Sequence, residues 1–312
     1  MNHKRVPSVA VIILNWNNWQ DTVECLESLA QIDYPNYQVI VIDNGSSDDS
    51  VVQLKHRFDW IRLFETGENL GFSAGVNYGI ERAKDSELVL LLNNDTIVAP
   101  NFLTELVKTI QSDNTIGLVG GRIYYLDVAK TDTALFCRQN KIWSAGGGIS
   151  KLTKKAFHIG DKKIDHGQYD QQREVDFLSG CCLLIKREVF EKIGLLDPDY
   201  FMYYEDVDFC LRAKAHAYKI VYSPKAIIWH KIRQVARKQF ADYYRMRNHF
   251  VLLKKRYSDM FVTRCLIGLC LLIERTGRII FRKFVYQDTE KISDRISALL
   301  DGFREGLIWS NT

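Results

Sequence analysis

Residues 88–95 read Leu-Val-Leu-Leu-Leu-Asn-Asn-Asp, an apolar run that stops abruptly in two amides and a carboxylate before Thr-Ile-Val-Ala-Pro follows. A short continuous apolar run bounded by polar turn residues is the pattern of a strand covered on both faces. Two earlier runs match it, Val-Ala-Val-Ile-Ile-Leu at 9–14 and Val-Ile-Val-Ile at 39–42. Between them lie segments with helical spacing. Val23, Leu26, Leu29 and Ala30 share one face, as do Ala74, Asn77, Tyr78 and the 80–83 turn. Alternating strands and helices predict an α/β chain with a doubly wound, mixed but mostly parallel sheet flanked by helices.

In such sheets ligands sit outside the carboxyl ends of the strands. The first run ends in Asn15-Trp16-Asn17, the second in Asp43-Asn44-Gly45-Ser46-Ser47-Asp48 and the third in Asn93-Asn94-Asp95. Each alone is ordinary turn and cap chemistry. Three on one rim predict a site. Asp95 amid amides suits a divalent cation with oxygen ligands, Mg2+ or Mn2+, itself holding a diphosphate. The chain has neither a G-x-G-x-x-G fingerprint nor a phosphate loop ending in G-K-[ST], so a metal is the economical counter-charge.

Two further groups stay ambiguous at this level. Glu205-Asp206-x-Asp208 reads either as acids complementing a helix N-terminus or as the source of a general base. His230, ending Ile-Ile-Trp-His, reads either as a satisfied structural group or as a second ligand beside Asp95.

At 312 residues and 46% hydrophobic content the chain can bury a large core. A net charge of +4 gives no warrant for a nucleic-acid partner. Seven cysteines without a C-x-x-C pair point to a reducing compartment. The first apolar run is too short for the core of a signal peptide, so a cytoplasmic protein is expected. Residues 125–174, with three successive glycines and many lysines, read as long loops. Residues 231–284 hold fourteen Lys and Arg against three acids, a local net of +11 interleaved with apolar residues. Basic amphipathic helices of this kind read as a membrane-surface binder, which would tether the protein to the inner face of the cell membrane. Packing on the main domain or in a homodimer is the alternative.

The order NWNN, VIDNGSSDDS, ENLGFSAGVNYGI, LLLNND, FLSGCCLLIKREVFEKIGLLDPDYFMYYEDVDFCLR and SPKAIIWH resembles the family 2 inverting glycosyltransferases of GT-A fold, especially their rhamnosyltransferase-like branch. The resemblance implies a glycosyltransferase domain over 1–235, with a nucleotide-binding part to about 125 and an acceptor part beyond it. Residues 236–312 would form a basic helical extension. It further implies that Asp43, with Asn15 and Asn17, binds the nucleoside and that Asn69 lines the nucleotide site. Asn93 and Asn94 would contact the donor, and Asp95 and His230 the cation. Asp206 would be the catalytic base, supported by Glu205. One departure is Asn93, which stands where the first aspartate of a D-x-D motif is expected.

The implied activity is sugar transfer from a nucleotide-diphosphate donor to a hydroxyl of a cell-envelope glycan or polyprenyl-linked glycolipid. L-Rhamnose from dTDP-rhamnose is the preferred sugar, with UDP-hexose or UDP-galactofuranose behind it. A non-catalytic nucleotide-sugar-binding scaffold is the rival from another class. A sugar-phosphate nucleotidyltransferase would carry a glycine-rich, arginine-bearing loop after its first strand, and NWNNWQD is nothing like one.

Overall fold

The computed structural model describes residues 5–127, 137–231, 238–257, 261–286 and 291–308. The chain divides into two compact units. The first comprises Met1–Ile149, Ala156–Phe201 and Glu205–Ile232, and the second Ser150–Lys155, Met202–Tyr204 and Arg233–Thr312.

The first unit begins β1 (Val9–Asn15), α1 (Trp19–Leu29), β2 (Tyr37–Asp43), α2 (Ser50–Arg57), β3 (Arg62–Glu65), α3 (Gly71–Arg82) and β4 (Leu88–Asn93). These four strands pair in parallel in the order β3-β2-β1-β4. Leu88 to Leu92 are all buried, as are Val9 to Ile13, which is why both runs are apolar without alternation. Register makes the rim: Asn15 pairs with Asp43 across β1 and β2, and Leu14 with Asn93 across β1 and β4. The three polar strand ends therefore lie level.

α3 buries the 80–83 end of the face its apolar spacing predicts, but not the rest of it. Gly75, Val76, Gly79 and Ile80 are buried, whereas Ala74, Asn77 and Tyr78 are only half-buried. A Cβ at Gly79 would lie 2.5 Å from Ile12 Cγ2, and one at Gly75 2.6 Å from Leu14 Cδ1. The glycines let the helix backbone lie close against β1. Asn77 instead brackets Leu196, donating to its carbonyl at 2.7 Å and accepting from its N–H at 3.0 Å.

The unit continues with β5 (Thr96–Val98), α4 (Phe102–Ile110), β6 (Ile116–Asp127), β7 (Cys137–Ser144), β8 (Gly147–Ile149), β9 (Ala156–His158), β10 (Arg173–Glu174), β11 (Cys182–Lys186), α5 (Arg187–Ile193), α6 (Glu205–Ala215) and β12 (Lys219–Lys231). Among the described residues ten strands form one sheet, ordered β10-β12-β6-β11-β4-β1-β2-β3, with β5 on β12 and β7 on β6. β6 and β12 are parallel to each other, and β11 is antiparallel to both β4 and β6, so β1 to β4, β6 and β12 share one direction while β7 and β11 oppose it.

Residues 125–174 are thus long loop only in part. Strand occupies 125–127, 137–144, 147–149, 156–158 and 173–174, whereas 159–172 is loop apart from a bridge at Ile164 and is anchored to β6; 128–136 lie outside the described residues. Register shifts in the β6–β7 ladder break the period that would have revealed it. The anchor is Arg122, which is buried and donates to the hydroxyls of Tyr222 (3.1 Å) and Tyr124 (3.0 Å) and to Asp165 (2.8 Å).

The second unit holds α7 (Lys238–Arg256), α8 (Phe261–Tyr286) and α9 (Ile292–Ile308). Met246, Phe250, Leu271, Ile279 and Leu299 form its small core. Arg295 pairs with Asp242 at 2.8 Å. Leu266, Leu269, Ile273, Ile280 and Phe281 line the other side of α8, each at least 40% exposed. No described helix is long and apolar enough to cross a membrane.

Candidate active site

The rim is stitched by hydrogen bonds among the strand ends. Asn15 Nδ2 donates to Asp43 Oδ1 at 2.9 Å, and Asn15 Oδ1 accepts from Thr22 Oγ1 at 2.6 Å. Asn94 Nδ2 donates to Thr22 Oγ1 at 2.9 Å, so α1 supplies the hydroxyl that joins β1 to the end of β4. Asp43 is 2% exposed and also accepts from Ser46 N–H (3.0 Å) and Ser46 Oγ (2.6 Å). Its carboxylate is therefore held in one orientation at the end of β2. Asn17 and Asn18 take left-handed backbone angles after β1 (φ 52° and 64°), and Asn17 Oδ1 accepts from Ser47 N–H at 2.9 Å. Asn69 lies just before α3, its Oδ1 accepting from Gly71 N–H (2.9 Å) and from Asn44 Nδ2 (3.1 Å). Asn93 contributes backbone: its N–H donates to Cys181 O at 3.0 Å and its carbonyl accepts from Thr96 Oγ1 at 2.7 Å.

Asp95 and His230 meet because β5 pairs antiparallel with β12, His230 opposite Thr96, and Lys231 N–H donates to Asp95 O at 2.9 Å. His230 Nε2 lies 3.0 Å from Asp95 Oδ1. The imidazole lies nearly perpendicular to the Trp143 ring, centroids 4.8 Å apart. Asp95 Oδ1 and His230 Nδ1 are buried without a hydrogen bond among the described residues, an arrangement that normally calls for a further partner. A carboxylate oxygen beside an imidazole fits a small divalent cation that takes its other ligands from phosphate and water. Among the described residues no group of three or more His, Cys, Asp or Glu offers a complete protein cage. On the far side of the strand, Lys231 Nζ pairs with Asp21 at 2.8 Å and Glu24 at 2.5 Å, with lysine and Asp21 both buried.

The acidic cluster divides its roles. Asp208 is fully buried and structural, accepting from Tyr200 Oη (3.3 Å) and Arg212 Nε (2.9 Å). Asp206 turns the other way. Its Oδ2 accepts from Gly180 N–H at 3.0 Å and its Oδ1 from Val207 N–H at 2.8 Å. Since Cys181 O receives the Asn93 N–H, the 180–181 segment links Asp206 to the end of β4. Buried Cys181 lies within electrostatic reach of both Asp95 and Asp206. Glu205 is 6% exposed, with Oε2 unbonded among the described residues. Burial first, and the Asp206 charge second, push its carboxyl well above the usual range. Burial also raises Asp206, against the two N–H donors. Just upstream, Tyr203 and Tyr204 are left-handed at φ 67° and 75°, a cost of about 1–3 kcal/mol each.

Thr22, Ser46, Asn44, Trp143 and Gly180 join the predicted residues. Gly180 and Ser46 lie inside motifs already visible in the sequence, whereas Thr22 carried no signal before α1 was placed.

A family model described as glycosyltransferase like family 2 matches residues 7–249. The chain belongs to that family. It is 28% identical over 212 residues to the low-salt glycan biosynthesis hexosyltransferase Agl10 of Haloferax volcanii, covering 66% of this chain and 61% of that protein. It is 29% identical over 216 residues to the N-acetylglucosaminyl-diphospho-decaprenol L-rhamnosyltransferase of Mycobacterium tuberculosis, covering 64% and 68%. It is 23% identical over 312 residues to the dTDP-rhamnosyl transferase RfbF of Shigella flexneri, covering 95% and 96%. The fold is shared with the mannosyltransferase PcManGT of Pyrobaculum calidifontis, solved with GDP-Man and Mn2+, at a TM-score of 0.60 and 15% identity over 98% of this chain and 88% of that one. The GT-A architecture expected from the motifs is met.

Proposed function

We propose that this chain is an inverting glycosyltransferase that moves a hexose from a nucleoside diphosphate sugar to a hydroxyl of a cell-envelope glycan or polyprenyl-linked glycolipid. L-Rhamnose from dTDP-rhamnose is the preferred donor. The observation that carries this reading is the Asp206 carboxylate, held by Gly180 N–H in a segment hydrogen-bonded to the end of β4. Asp43 and Asn15 orient the nucleoside, and Asn69, Asn93 and Asn94 line the donor. Asp206 takes the proton from the acceptor hydroxyl as that oxygen attacks the anomeric carbon. Glu205 lies beside it, its carboxyl pushed well above the usual range first by burial and then by the Asp206 charge. Single displacement needs no covalent nucleophile, and burial raises the thiols of Cys25 and Cys182 to about 12, leaving them uncharged at neutral pH. Asp95 and His230 would hold a divalent cation, which supplies Lewis-acid stabilisation of the departing diphosphate. The preference for rhamnose draws on relatives named as rhamnosyltransferases, and the polyprenyl acceptor on one named for a decaprenol-linked substrate.

For the membrane, the supporting feature is the exposed α8 stripe Leu266, Leu269, Ile273 and Ile280, spaced as one helical face, in a segment of local net +11. The division into a transferase domain and a helical extension is read with the same boundaries, 1–235 and 236–312.

The deciding experiment is a thermal titration with UDP, dTDP, GDP and CDP, each with and without Mn2+. Selective, metal-dependent stabilisation by dTDP is expected, through linkage of binding to folding. Stabilisation by UDP alone would move the donor to the uridine sugars. No stabilisation by any nucleotide would sink the reading.

A further inference from the structure

The segment that leads into the two carboxylates is held in a backbone conformation that bulky L-residues avoid. Tyr203 and Tyr204 lie one after the other in the left-handed region, a state that persists only where surrounding groups enforce it. Within the second unit, α7 supplies such groups. Asn248 is fully buried and donates from Nδ2 to Met202 O at 2.8 Å and to Tyr203 O at 2.9 Å. A side-chain amide carries two N–H donors, and both are used here. Its Oδ1 accepts from Arg247 Nη1 at 2.7 Å. The Arg245 guanidinium lies 4.4 Å from the centre of the Tyr203 ring. The Tyr204 hydroxyl is 3.0 Å from Nδ1 of His249, itself fully buried. Three successive residues are thus gripped from one helix, and the next residue along the chain is Glu205, the start of α6.

We propose that Asn248, seconded by His249, is a positioning residue for the Glu205–Asp206 pair; the proposal rests on the reading of Asp206 as the base. The dihedral angles of Tyr203 and Tyr204 set the direction in which the chain enters the first turn of α6. The two carbonyl bonds from Asn248 and the His249–Tyr204 bond hold those angles against relaxation to ordinary backbone. Once they relax, Asp206 swings away from the Gly180 and Val207 N–H groups. The effect falls on the geometry of proton transfer and leaves the nucleotide pocket on β1 and β2 untouched.

The test uses the full chain with Asn248→Ala and Tyr204→Phe, hydrogen exchange read by mass spectrometry, and steady-state hydrolysis of dTDP-rhamnose with water as acceptor. In Asn248→Ala the amides of Gly180 and Val207 are expected to exchange about tenfold faster, while those of β1 and β4 keep their protection. Its kcat is expected to fall about 10²-fold, the scale of a small misplacement of a catalytic group. KM stays within about twofold, because ground-state binding is untouched. Tyr204→Phe, which keeps the ring and loses only the hydroxyl, shifts exchange in the same direction by less. Unchanged exchange at Gly180 and Val207 in both variants would overturn the proposal. If Asn248→Ala does not fold, Tyr204→Phe decides by the same exchange criterion. Asp206→Asn is measured alongside: a retained rate there removes the base reading, while the exchange data still judge the Asn248 clamp on their own.

Discussion

The backbone N–H of Gly180 donates to Oδ2 of Asp206 at 3.0 Å, and the carbonyl of the very next residue accepts from Asn93 N–H at the end of β4. One dipeptide thus spans from the acidic helix start to the strand rim. Asp206→Asn keeps the shape and the Gly180 bond but loses the proton acceptor. Turnover should drop by about 10²- to 10⁴-fold, the usual worth of a positioned general base. Calorimetric nucleotide affinity should stay within about twofold, since the variant touches no ground-state donor contact.

Acid sensitivity should follow the carboxylates. The base acts only when ionised, and burial has raised Asp206. The acid limb of kcat/KM should therefore lie above the ordinary aspartate value of about 4. Stability runs the opposite way. For Asp206 and Glu205 the folded state retains protons that the unfolded chain has released, so their contribution is full below the ordinary carboxylate value and falls as pH rises through the raised ones. His249, lowered to about 3 by burial, adds stability that is present above its unfolded value and lost as pH falls. Thermal midpoints across pH should flatten on the alkaline side in Glu205→Gln and on the acid side in His249→Phe.

Removing either half of the Asp95–His230 pair should uncouple metal from nucleotide. In Asp95→Ala and in His230→Ala, the extra thermal stabilisation that Mn2+ gives to nucleotide binding should vanish, and chelator should no longer change the midpoint. Mn2+-dependent stabilisation that survives in both variants would place the cation elsewhere.

Gly79→Ala should destabilise even though alanine is the better helix former. The added methyl would sit 2.5 Å from Ile12 Cγ2 and 3.1 Å from Ile42 Cγ1. Overpacking of this kind costs about 1–3 kcal/mol, against about 1 kcal/mol gained in helix propensity. Urea unfolding should show a lower midpoint with an unchanged slope.

What was legible in the sequence follows from what each position reports. Strands covered on both faces show as unbroken apolar runs, so β1, β2 and β4 could be read, and their polar ends with them. β6 could not: Gly120, Gly121 and Arg122 interrupt it, and its arginine is buried only because Tyr124, Tyr222 and Asp165 satisfy it. Part of the buried face of α3 was hidden for a related reason: Ile80 and Ala83 could be read, but Gly75 and Gly79 pack closely without carrying any hydrophobic signal. Around the site, Asn15, Asp43, Asn94 and Asp95 announce themselves as polar residues at strand ends. Gly180 acts through a backbone N–H, and a backbone N–H has no letter of its own.

The buried pair of Lys231 and Asp21 joins positions 210 residues apart. At about 5–20 residues per second on the ribosome, α1 emerges roughly 10–40 s before the lysine that neutralises it. Until then the first half of the sheet carries a carboxylate whose native environment is a dry interior. The domain can therefore close its core only after β12 has been synthesised.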